Sequence, residues 1–367
     1  PGFFSAKPSD WIRESMIAIA ILVLLFAPGV LGGFKWAGDA PLMYLGLVIA
    51  MGAAIILSRT RPVRLVALVV TALIAGNEAI HQSQKGENLR GFFGVNRIIE
   101  SKNGKFLLLA HGTTIHGAQK LNLGESEAPE PLTYYHKAGP FADAINAARS
   151  IRPLKTVGVI GLGAGTLACY KRSGETWKFF EIDPLVIQIA KDPEKFKFLS
   201  RCAPNSEIVL GDARLTVAKE QDRQFNLLMV DAFSSDAIPV HLLTREALQI
   251  YLSKLTDDGV LLLHISNRNM DLGPVVAAAA RELGLVALIR RSEVSAPEQD
   301  AYKTPAIVAV LARNAADIEA LKNNEDWSVV KDPGWRVWTD DYSNVLAAIL
   351  AKVTKDKTGE AQAASKD

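Results

Sequence analysis

A glycine-rich turn after a short apolar strand constrains the fold of this chain more than any other feature. The strand is Val157–Ile160, and Gly161, Gly163 and Gly165 follow it at alternate positions. Glycines let the backbone turn tightly and approach a ligand closely, as in the first strand–turn–helix unit of nucleotide-binding folds. A lone turn of this kind is weak evidence, because a tight turn alone also requires glycine.

Acidic residues at the ends of the next two predicted strands point in the same direction. Glu181 ends its strand roughly 20 residues after the glycine turn, where a carboxylate can accept hydrogen bonds from both ribose hydroxyls. Asp212 follows the third strand and is placed to hold an adenine amino group. Ordinary solvated strand ends are the alternative interpretation. Three successive strand ends that are glycine-rich or acidic favour S-adenosylmethionine over NAD as the ligand. The glycine spacing also lacks the full Gly-x-Gly-x-x-Gly pattern of NAD-binding folds.

The fourth predicted strand leads into a candidate reacting group. Asp231 follows this strand directly, on the edge where ligands of open α/β sheets bind. Alkyl transfer from a sulfonium to an amine needs a neutral amine, and a carboxylate can accept the proton and direct the attack. Asp236 would add a second carboxylate that attracts a cationic amine. Alternatively, Asp236 is a turn or N-cap residue before a helix that begins near Leu243.

Strand-like and helical stretches alternate through the second half of the chain. This alternation predicts an α/β fold, a Rossmann-like nucleotide-binding catalytic domain over residues 136–350 with a parallel, doubly wound sheet. The predicted strands are Val157–Ile160, Trp177–Phe180, Glu207–Leu210, Leu227–Val230, Val260–His264, Leu285–Ile289 and Ala306–Leu311.

The segments on either side of this domain differ from it in composition. Residues 92–119 alternate in a strand-like way around a turn at Lys102–Lys105, and a polar, acidic loop follows at Leu121–Pro131. We therefore predict a small N-terminal β-hairpin domain over residues 91–135. Residues 355–367 are small, polar and charged, and we predict that they form a disordered tail.

Residues 1–82 contain long apolar stretches. Met16–Leu31 and Leu42–Leu57 reach the roughly 20 residues of a spanning helix once their flanks are counted, whereas Val63–Ile80 is weaker. Trp11 and Trp36 flank the first stretch as interface anchors do. We therefore predict a membrane region with two or three transmembrane helices in a lipid bilayer. The alternative is a hydrophobic helical hairpin buried against protein.

Charge and chemistry disagree about the orientation of these helices. Arg59, Arg61 and Arg64 favour a cytoplasmic link between the second and third stretches, and three spans would then put the C-terminal domain outside. S-adenosylmethionine is an intracellular nucleotide, and we give that argument more weight. We predict a bacterial inner-membrane location with the catalytic domain facing the cytoplasm. Because the chain begins at Pro1, we interpret it as processed or as a piece of a longer protein.

Charge and metal-binding residues narrow the possible partners. The net charge is +2 over 367 residues, so nothing global argues for a nucleic-acid partner. The six histidines are scattered, and we predict no metal site. Cys169 and Cys202 lack metal-ligand spacing and are predicted to be reduced thiols.

The order of the motifs resembles that of the spermidine synthase (aminopropyltransferase) family, and of its membrane-fused branch in particular. The similarity extends over about residues 92–350, and Trp338–Ser343 is similar to the ending of that branch. The motifs are Thr113–Gln119, Leu132–His136, Gly161–Thr166, Phe180–Pro184, Gly211–Arg214 and Asp231–Pro239.

This resemblance implies the transfer of an aminopropyl group from decarboxylated S-adenosylmethionine to a diamine such as putrescine. It also implies a homo-oligomer, commonly a dimer or tetramer. By position, Asp231 would be the base, and Tyr135 and Asp236 would complete the catalytic set. The nucleotide would be bound by Gly161, Gly163, Gly165, Glu181 (ribose), Asp212 (adenine) and Gln119. The amine substrate would be bound by His136, Gln119 and Asp236.

Two departures from the family keep other activities open. Where the family has an aspartate that holds the amine of the aminopropyl group, this chain has Ala164, and Ala232-Phe233 separates the carboxylates of the Asp231–Asp236 stretch. The loss of a charge at position 164 also makes room for a donor that keeps its carboxylate. The alternatives are therefore a methyltransferase or other alkyl transferase that uses intact S-adenosylmethionine, or a non-catalytic nucleotide-sensing domain of a membrane transporter.

Overall fold

The structure is a computed structural model in which the chain divides into two compact units, Pro1–Lys85 and Gly86–Asp367. It describes residues 86–364 apart from 102, 113, 125–126 and 233–238. Within the first unit it describes residues 9, 11–14, 16–17, 49, 52–58, 61, 64–66 and 68–70.

The described part of the first unit consists of short helical pieces, including 52–57 and 68–70. The buried Glu14 carboxylate accepts a hydrogen bond of 2.9 Å from Arg64 Nε. The three apolar stretches in which we predict transmembrane helices lie largely outside the described residues. Among the residues that are described, no helix combines the length and the apolar character needed to cross a bilayer.

The second unit begins with a four-stranded antiparallel sheet in the order β1-β2-β3-β4. Its strands are β1 (Glu87–Gly91), β2 (Gly94–Glu100), β3 (Phe106–His111) and β4 (Thr114–Lys120). The predicted hairpin is present as β2 and β3, with one further strand on each side. Ser101 stabilises its turn, because the Oγ atom accepts hydrogen bonds from the backbone N–H groups of Lys105 and Phe106.

The main sheet of the second unit has eight strands in the order β12-β10-β11-β9-β8-β5-β6-β7. The strands are β5 (Thr156–Ile160), β6 (Thr176–Glu181), β7 (Glu207–Leu210), β8 (Phe225–Val230), β9 (Leu255–His264), β10 (Val286–Arg291), β11 (Ile307–Ala312) and β12 (Ser328–Val329). Every strand predicted from the alternation therefore has a counterpart in this sheet.

The prediction of an all-parallel sheet is wrong for β11 and β12, which run opposite to the other strands. β7, β6, β5, β8 and β9 are parallel, but β11 lies between β9 and β10 and is antiparallel to both. β12 pairs antiparallel with β10. The connection from β10 to β11 contains only the short helix Ala296–Asp300, whereas a parallel return needs a long crossover across the sheet. The Rossmann-like α/β class is confirmed, with a mixed sheet.

Nine α-helices are described in the second unit, and several begin at a capping residue. Asp183, Asp212 and Thr244 each accept a hydrogen bond at a helix N-terminus from a backbone N–H in the first turn. The helices are α1 (Pro140–Ile151), α2 (Pro184–Lys191), α3 (Phe198–Cys202), α4 (Ala213–Ala218), α5 (Arg245–Lys254), α6 (Gly273–Glu282), α7 (Ala296–Asp300), α8 (Glu319–Lys322) and α9 (Val345–Ala364).

The helices cover both faces of the main sheet. Along β6 the side chains alternate, so Trp177 and Phe179 pack in one hydrophobic cluster with Phe141 of α1, and Phe180 packs in the other with Tyr251 of α5. Burial of both faces fixes the strand register, because a one-residue slip would move every side chain to the opposite face. The carboxyl ends of the central strands are thereby held at one edge.

The predicted disordered tail is also corrected, because α9 continues to Ala364. The stretch after Lys355 contains three alanines, two lysines, one glutamate and one glutamine, which favour helices, and a single glycine. Polarity alone is therefore a poor indication of disorder when the residues are good helix formers.

Cys169 and Cys202 form a disulfide, which corrects the prediction of two reduced thiols. Their Cα atoms lie 4.8 Å apart, within the range that a disulfide can bridge. The bond joins the 3₁₀ turn Thr166–Tyr170, just after the glycine turn, to the last residue of α3.

Candidate active site

The glycine turn lies against the end of β8 at the carboxyl edge of the main sheet. Gly161 has φ +98°, and a Cβ atom at this position would lie 2.0 Å from the carbonyl oxygen of Asp231. Its N–H donates to the carbonyl of Phe180 at 2.8 Å, which ties the turn to β6 as well. Glycine is therefore required for both conformation and space, and the turn joins three strand ends.

Glu181 lies beneath this turn and is buried. One carboxylate oxygen accepts from Leu162 N–H at 3.0 Å and the other from Asp183 N–H at 2.9 Å. Burial raises the pKa of Glu181, and these backbone hydrogen bonds oppose the shift by favouring the charged form. Each oxygen keeps a lone pair for a further donor, as a ribose hydroxyl would provide.

Asp212 lies at the end of β7 and caps α4, where it accepts from Leu215 N–H at 3.2 Å. His241 Nε2 lies 3.5 Å from Asp212 Oδ2. The predicted adenine-binding aspartate is therefore on the expected edge of the sheet, but Ala213 rather than Asp212 lines the cavity described below.

Asp231 is the centre of a buried hydrogen-bond network. The Tyr135 hydroxyl donates to Asp231 Oδ2, and His264 Nδ1 lies 2.6 Å from Asp231 Oδ1. The Tyr135 backbone carbonyl in turn accepts from the Tyr170 hydroxyl, which anchors the segment that carries Tyr135. Both carboxylate oxygens of Asp231 are thus held in fixed directions.

Tyr134 and Tyr135 pack against each other beside this carboxylate, with ring centroids 4.4 Å apart. Burial raises the pKa of both phenols well above the ordinary value of 10.0, and the negative charge of Asp231 raises both pKa values further. The Tyr135 hydroxyl therefore remains a protonated donor to Asp231 across the physiological range.

These groups surround a cavity of about 150 Å³. It lies between the carboxyl edge of the main sheet and the four-stranded sheet, which contributes one wall. Its polar side chains are Asn96, His111, His116, Tyr134, Tyr135, Glu181, Asp183, Asp231 and His241. Gly161 and Gly163 line it through their backbone. Within the described residues, the lining carries three carboxylates and no lysine or arginine.

Several predicted site residues lie elsewhere. The Gln119 side chain is buried and its Oε1 accepts from Lys197 N–H at 2.6 Å, so it supports α3 and does not line the cavity. His136 is buried beside Gly139 and is also outside the lining. Gly165 packs on Leu199 of α3, where a Cβ atom would lie 2.9 Å from Leu199 Cγ. Asp236 lies outside the described residues.

Ala164 makes no space for a larger donor, which corrects the expectation from the sequence. It is 1% exposed and is packed against Gly117 of β4, where a Cβ atom would lie 2.4 Å from the Ala164 Cβ. The position is thus filled by the contact between the glycine turn and the four-stranded sheet.

Sequence reasoning missed Tyr134, His264 and the wall formed by His111 and His116. His264 is the last residue of β9 and therefore lies beside the end of β8. The predicted strand Val260–His264 already ended at this residue, which was the available signal. The two wall histidines, with ring centroids 6.1 Å apart, come from β3 and β4 and needed the packing of the two sheets. In the described part of the chain, no cluster of three or more metal-ligating side chains is present.

Comparison with known proteins adds sequence and structural relatives. The chain is 33% identical over 111 residues to the polyamine aminopropyltransferase of Vibrio vulnificus (strain CMCP6), an alignment that covers 28% of this chain and 35% of the relative. The aligned region thus spans about a third of that relative's length. No model of a protein family matches the chain.

Solved structures with a similar fold include two spermidine synthases. A probable spermidine synthase from Corynebacterium glutamicum matches with a TM-score of 0.50 and 14% identity, over 71% of this chain and 98% of that one. The enzyme from Thermotoga maritima matches with a TM-score of 0.44 and 14% identity, over 72% and 83% of the two chains. At these identities the likeness concerns the fold. The sequence match confirms the resemblance to spermidine synthases, and these homologues are transferases.

Proposed function

We propose that this chain transfers an aminopropyl group from decarboxylated S-adenosylmethionine to an amine such as putrescine. The observation that carries the proposal is the position of Asp231. Its carboxylate faces the same small cavity as the glycine turn and Glu181, and the Tyr135 hydroxyl fixes one of its oxygens. The sequence match to a polyamine aminopropyltransferase supports the same class of reaction.

The nucleotide would lie along the carboxyl edge of β5, β6 and β7. Glu181, buried beneath the glycine turn, would accept hydrogen bonds from the ribose hydroxyls through its remaining lone pairs. Asp212, at the end of β7, would face the adenine. The sulfonium end would then point towards Asp231, because β8 is the neighbour of β5 on the other side.

Asp231 would act as the base on the attacking amine. An amine that enters as an ammonium ion gives one proton to the carboxylate, and the neutral nitrogen attacks the carbon next to sulfur. The new N–C bond forms as the C–S bond breaks. The electron pair of the broken C–S bond stays on sulfur, so the sulfonium becomes a neutral thioether. Positioning and proton removal of this kind typically contribute rate factors of about 10² to 10⁴.

The charge of the cavity supports a cationic ligand. Glu181, Asp183 and Asp231 line it, and no lysine or arginine does so among the described residues. Carboxylates in a confined space attract both a sulfonium and an ammonium ion.

A second candidate is alkyl transfer from intact S-adenosylmethionine, because Ala164 offers no carboxylate for the amine of a decarboxylated donor. The contact between Ala164 and Gly117 counts against this candidate, since it leaves no room there for the carboxylate of the intact donor. Asp183, which lines the cavity from the N-terminus of α2, is the alternative partner for that amine in our proposal.

The experiment is an incubation of purified protein with decarboxylated or intact S-adenosylmethionine and a panel of amines. Methylthioadenosine that forms only with the decarboxylated donor and an amine supports the proposal. S-adenosylhomocysteine supports methyl transfer instead. Nucleotide binding without either product would overturn both enzymatic functions and favour a sensing domain.

We further propose that residues 1–82 attach the domain to a bilayer, that the domain faces the cytoplasm and that it forms a homodimer. Membrane fractionation followed by carbonate extraction tests the attachment, and protease protection in intact cells tests the orientation. Light scattering of the detergent-solubilised protein tests the oligomer, with a monomer mass as the contrary result.

A further inference from the structure

His264 and Ser266 extend the hydrogen-bond network behind Asp231. His264 is the last residue of β9 and is buried, with 5% of its side chain exposed. Its Nδ1 lies 2.6 Å from Asp231 Oδ1, and its Nε2 lies 2.7 Å from Ser266 Oγ. Neither His264 nor Ser266 lines the cavity, so His264 contacts Asp231, and Ser266 contacts His264, from outside the substrate space.

The Asp231 carboxylate determines the tautomer of the neutral ring. A carboxylate that acts as a base has only acceptor atoms, so His264 Nδ1 carries the hydrogen that it donates to Asp231 Oδ1. Nε2 of the neutral ring is then an acceptor and receives the hydroxyl hydrogen of Ser266, whose oxygen accepts from Ile307 N–H at 2.7 Å. Each group in the chain from the Ile307 backbone to the carboxylate is thereby satisfied.

The ring of His264 is also held by its packing. Tyr134 lies against it with a centroid distance of 4.7 Å, and Phe141 of α1 meets it edge-on at 5.3 Å. β9 itself is fixed between β8 and β11 in the main sheet. The donor atom that faces Asp231 is therefore rigid, which is the support that a reacting carboxylate needs to hold its direction.

We propose that His264 is a positioning residue for the proposed transfer. Its Nδ1–H holds Asp231 Oδ1 while the Tyr135 hydroxyl holds Oδ2, so the plane of the carboxylate is fixed and its remaining lone pairs face the cavity. Ser266 acts one step further back, because its hydroxyl donates to Nε2 and so stabilises this tautomer of His264. The inference rests on the proposed function for its catalytic consequence, whereas the hydrogen-bond chain itself is independent of the substrate.

The kinetic test compares His264→Asn, His264→Leu and Ser266→Ala with the wild-type protein. Asparagine keeps an N–H donor near the place of Nδ1, whereas leucine removes it. We expect kcat to fall at least tenfold in His264→Leu, with partial recovery in His264→Asn and an intermediate loss in Ser266→Ala. KM for the nucleotide should change less than threefold, because Glu181 and the glycine turn are untouched. Asn269→Ala is the matched control and should keep wild-type kcat, because Asn269 is an exposed residue in the segment that follows β9 and does not line the cavity.

Nitrogen-15 NMR of histidine-labelled protein tests the tautomer without any turnover. The signal of His264, assigned by its absence in His264→Asn, should show a protonated Nδ1 and a bare Nε2. Ser266→Ala should lower the share of this tautomer, because Nε2 then loses its donor. Thermal melting of each variant shows whether it is folded, and Ser266→Ala provides the test if His264→Leu is not.

The possible failures are distinguishable. Absence of turnover in the wild-type protein overturns the proposed function. The NMR result then still tests whether the hydrogen-bond chain through His264 is present. If the wild-type protein is active, wild-type kcat in His264→Leu overturns the positioning role. A His264 ring protonated at Nε2 in the resting protein overturns the proposed chain in either case.

Discussion

The backbone of Gly161 lies directly against the backbone of Asp231, so the glycine turn is in contact with the residue that we propose as the base. A Cβ atom at position 161 would lie 2.0 Å from the Asp231 carbonyl oxygen. The Asp231 N–H also donates to the Ile160 carbonyl at 2.8 Å, which locks β8 to β5 at their ends. Displacement of the turn would therefore displace the carboxylate.

Gly161→Ala should lower both stability and nucleotide affinity. The positive φ of +98° and the overlap with Asp231 together should cost at least about 2 kcal/mol in the free energy of unfolding. Gly174→Ala is the matched control, because Gly174 has φ +82° in open space and should cost only about 1 kcal/mol. Urea denaturation and calorimetric nucleotide titration measure the two effects. Equal losses in the two variants would contradict the importance of the contact.

Asp231→Asn should abolish turnover and leave nucleotide binding within about threefold of the wild type. The amide preserves the shape of the side chain but cannot accept a proton, so kcat should fall by about 10² to 10⁴. The measurement is the rate of methylthioadenosine formation beside a binding titration. Asp222→Asn, at an exposed carboxylate that pairs with the buried Lys254 and does not line the cavity, serves as the control. Full activity of Asp231→Asn would show that another group is the base.

Alkaline solution should destabilise the protein through Tyr134 and Tyr135. Burial, and then the charge of Asp231, raise the pKa of both phenols well above 10.0 in the native state. Above about pH 10 the unfolded chain therefore binds fewer protons than the native protein, and the free energy of unfolding falls as pH rises. The contribution of the two phenols to the free energy of unfolding is fully present below that pH. Above it, each phenol lowers this free energy by up to about 1.4 kcal/mol per pH unit.

Denaturant unfolding at pH 9, 10 and 11 measures this slope. Tyr135→Phe should make it shallower by the share of one phenol, although it also removes the donor to Asp231 Oδ2. A slope that is the same in the wild type and in Tyr135→Phe would mean that this phenol ionises normally in the folded protein.

The disulfide between Cys169 and Cys202 should be recovered from the oxidised protein as a linked peptide pair. It closes a loop of 33 residues, for which chain entropy gives about 3 to 4 kcal/mol of stabilisation. Cys202→Ser should lose about this amount relative to oxidised protein and should match the reduced wild type. The test is mass spectrometry of unreduced digests beside urea denaturation with and without reductant. Two alkylated cysteines in the unreduced digest would contradict the bond.

The ends of the central strands were predictable because their chemistry is local. Gly161, Glu181 and Asp231 each follow an apolar strand directly, and parallel strands bring such ends to a common edge. The parallel direction of β5 to β9 follows from the alternation of strands and helices along the chain. The position of β11 between β9 and β10 was not predictable in this way, because it depends on which strands pair across the sheet.

The cavity wall and the network behind Asp231 were not predictable from single motifs. Gln119 belongs to a motif shared with spermidine synthases, yet its side chain accepts from Lys197 N–H instead of facing the cavity. In the sequence, His264 is only the last residue of a predicted strand. Its contact with Asp231 depends on the pairing of β9 with β8. The disulfide likewise depends on α3 packing beside the 3₁₀ turn, which the spacing of two cysteines does not reveal.

The α/β class, the glycine turn and the acidic strand ends can be predicted from the sequence, because each follows from the local pattern of strand, turn and polar residue. The contacts that these groups make depend on the tertiary structure. It placed Ala164 against Gly117 and set His264 and Tyr135 on the two oxygens of Asp231. Such contacts join residues far apart in the chain, and only the packing of one sheet on the other and of one strand beside the next brings them within bonding distance.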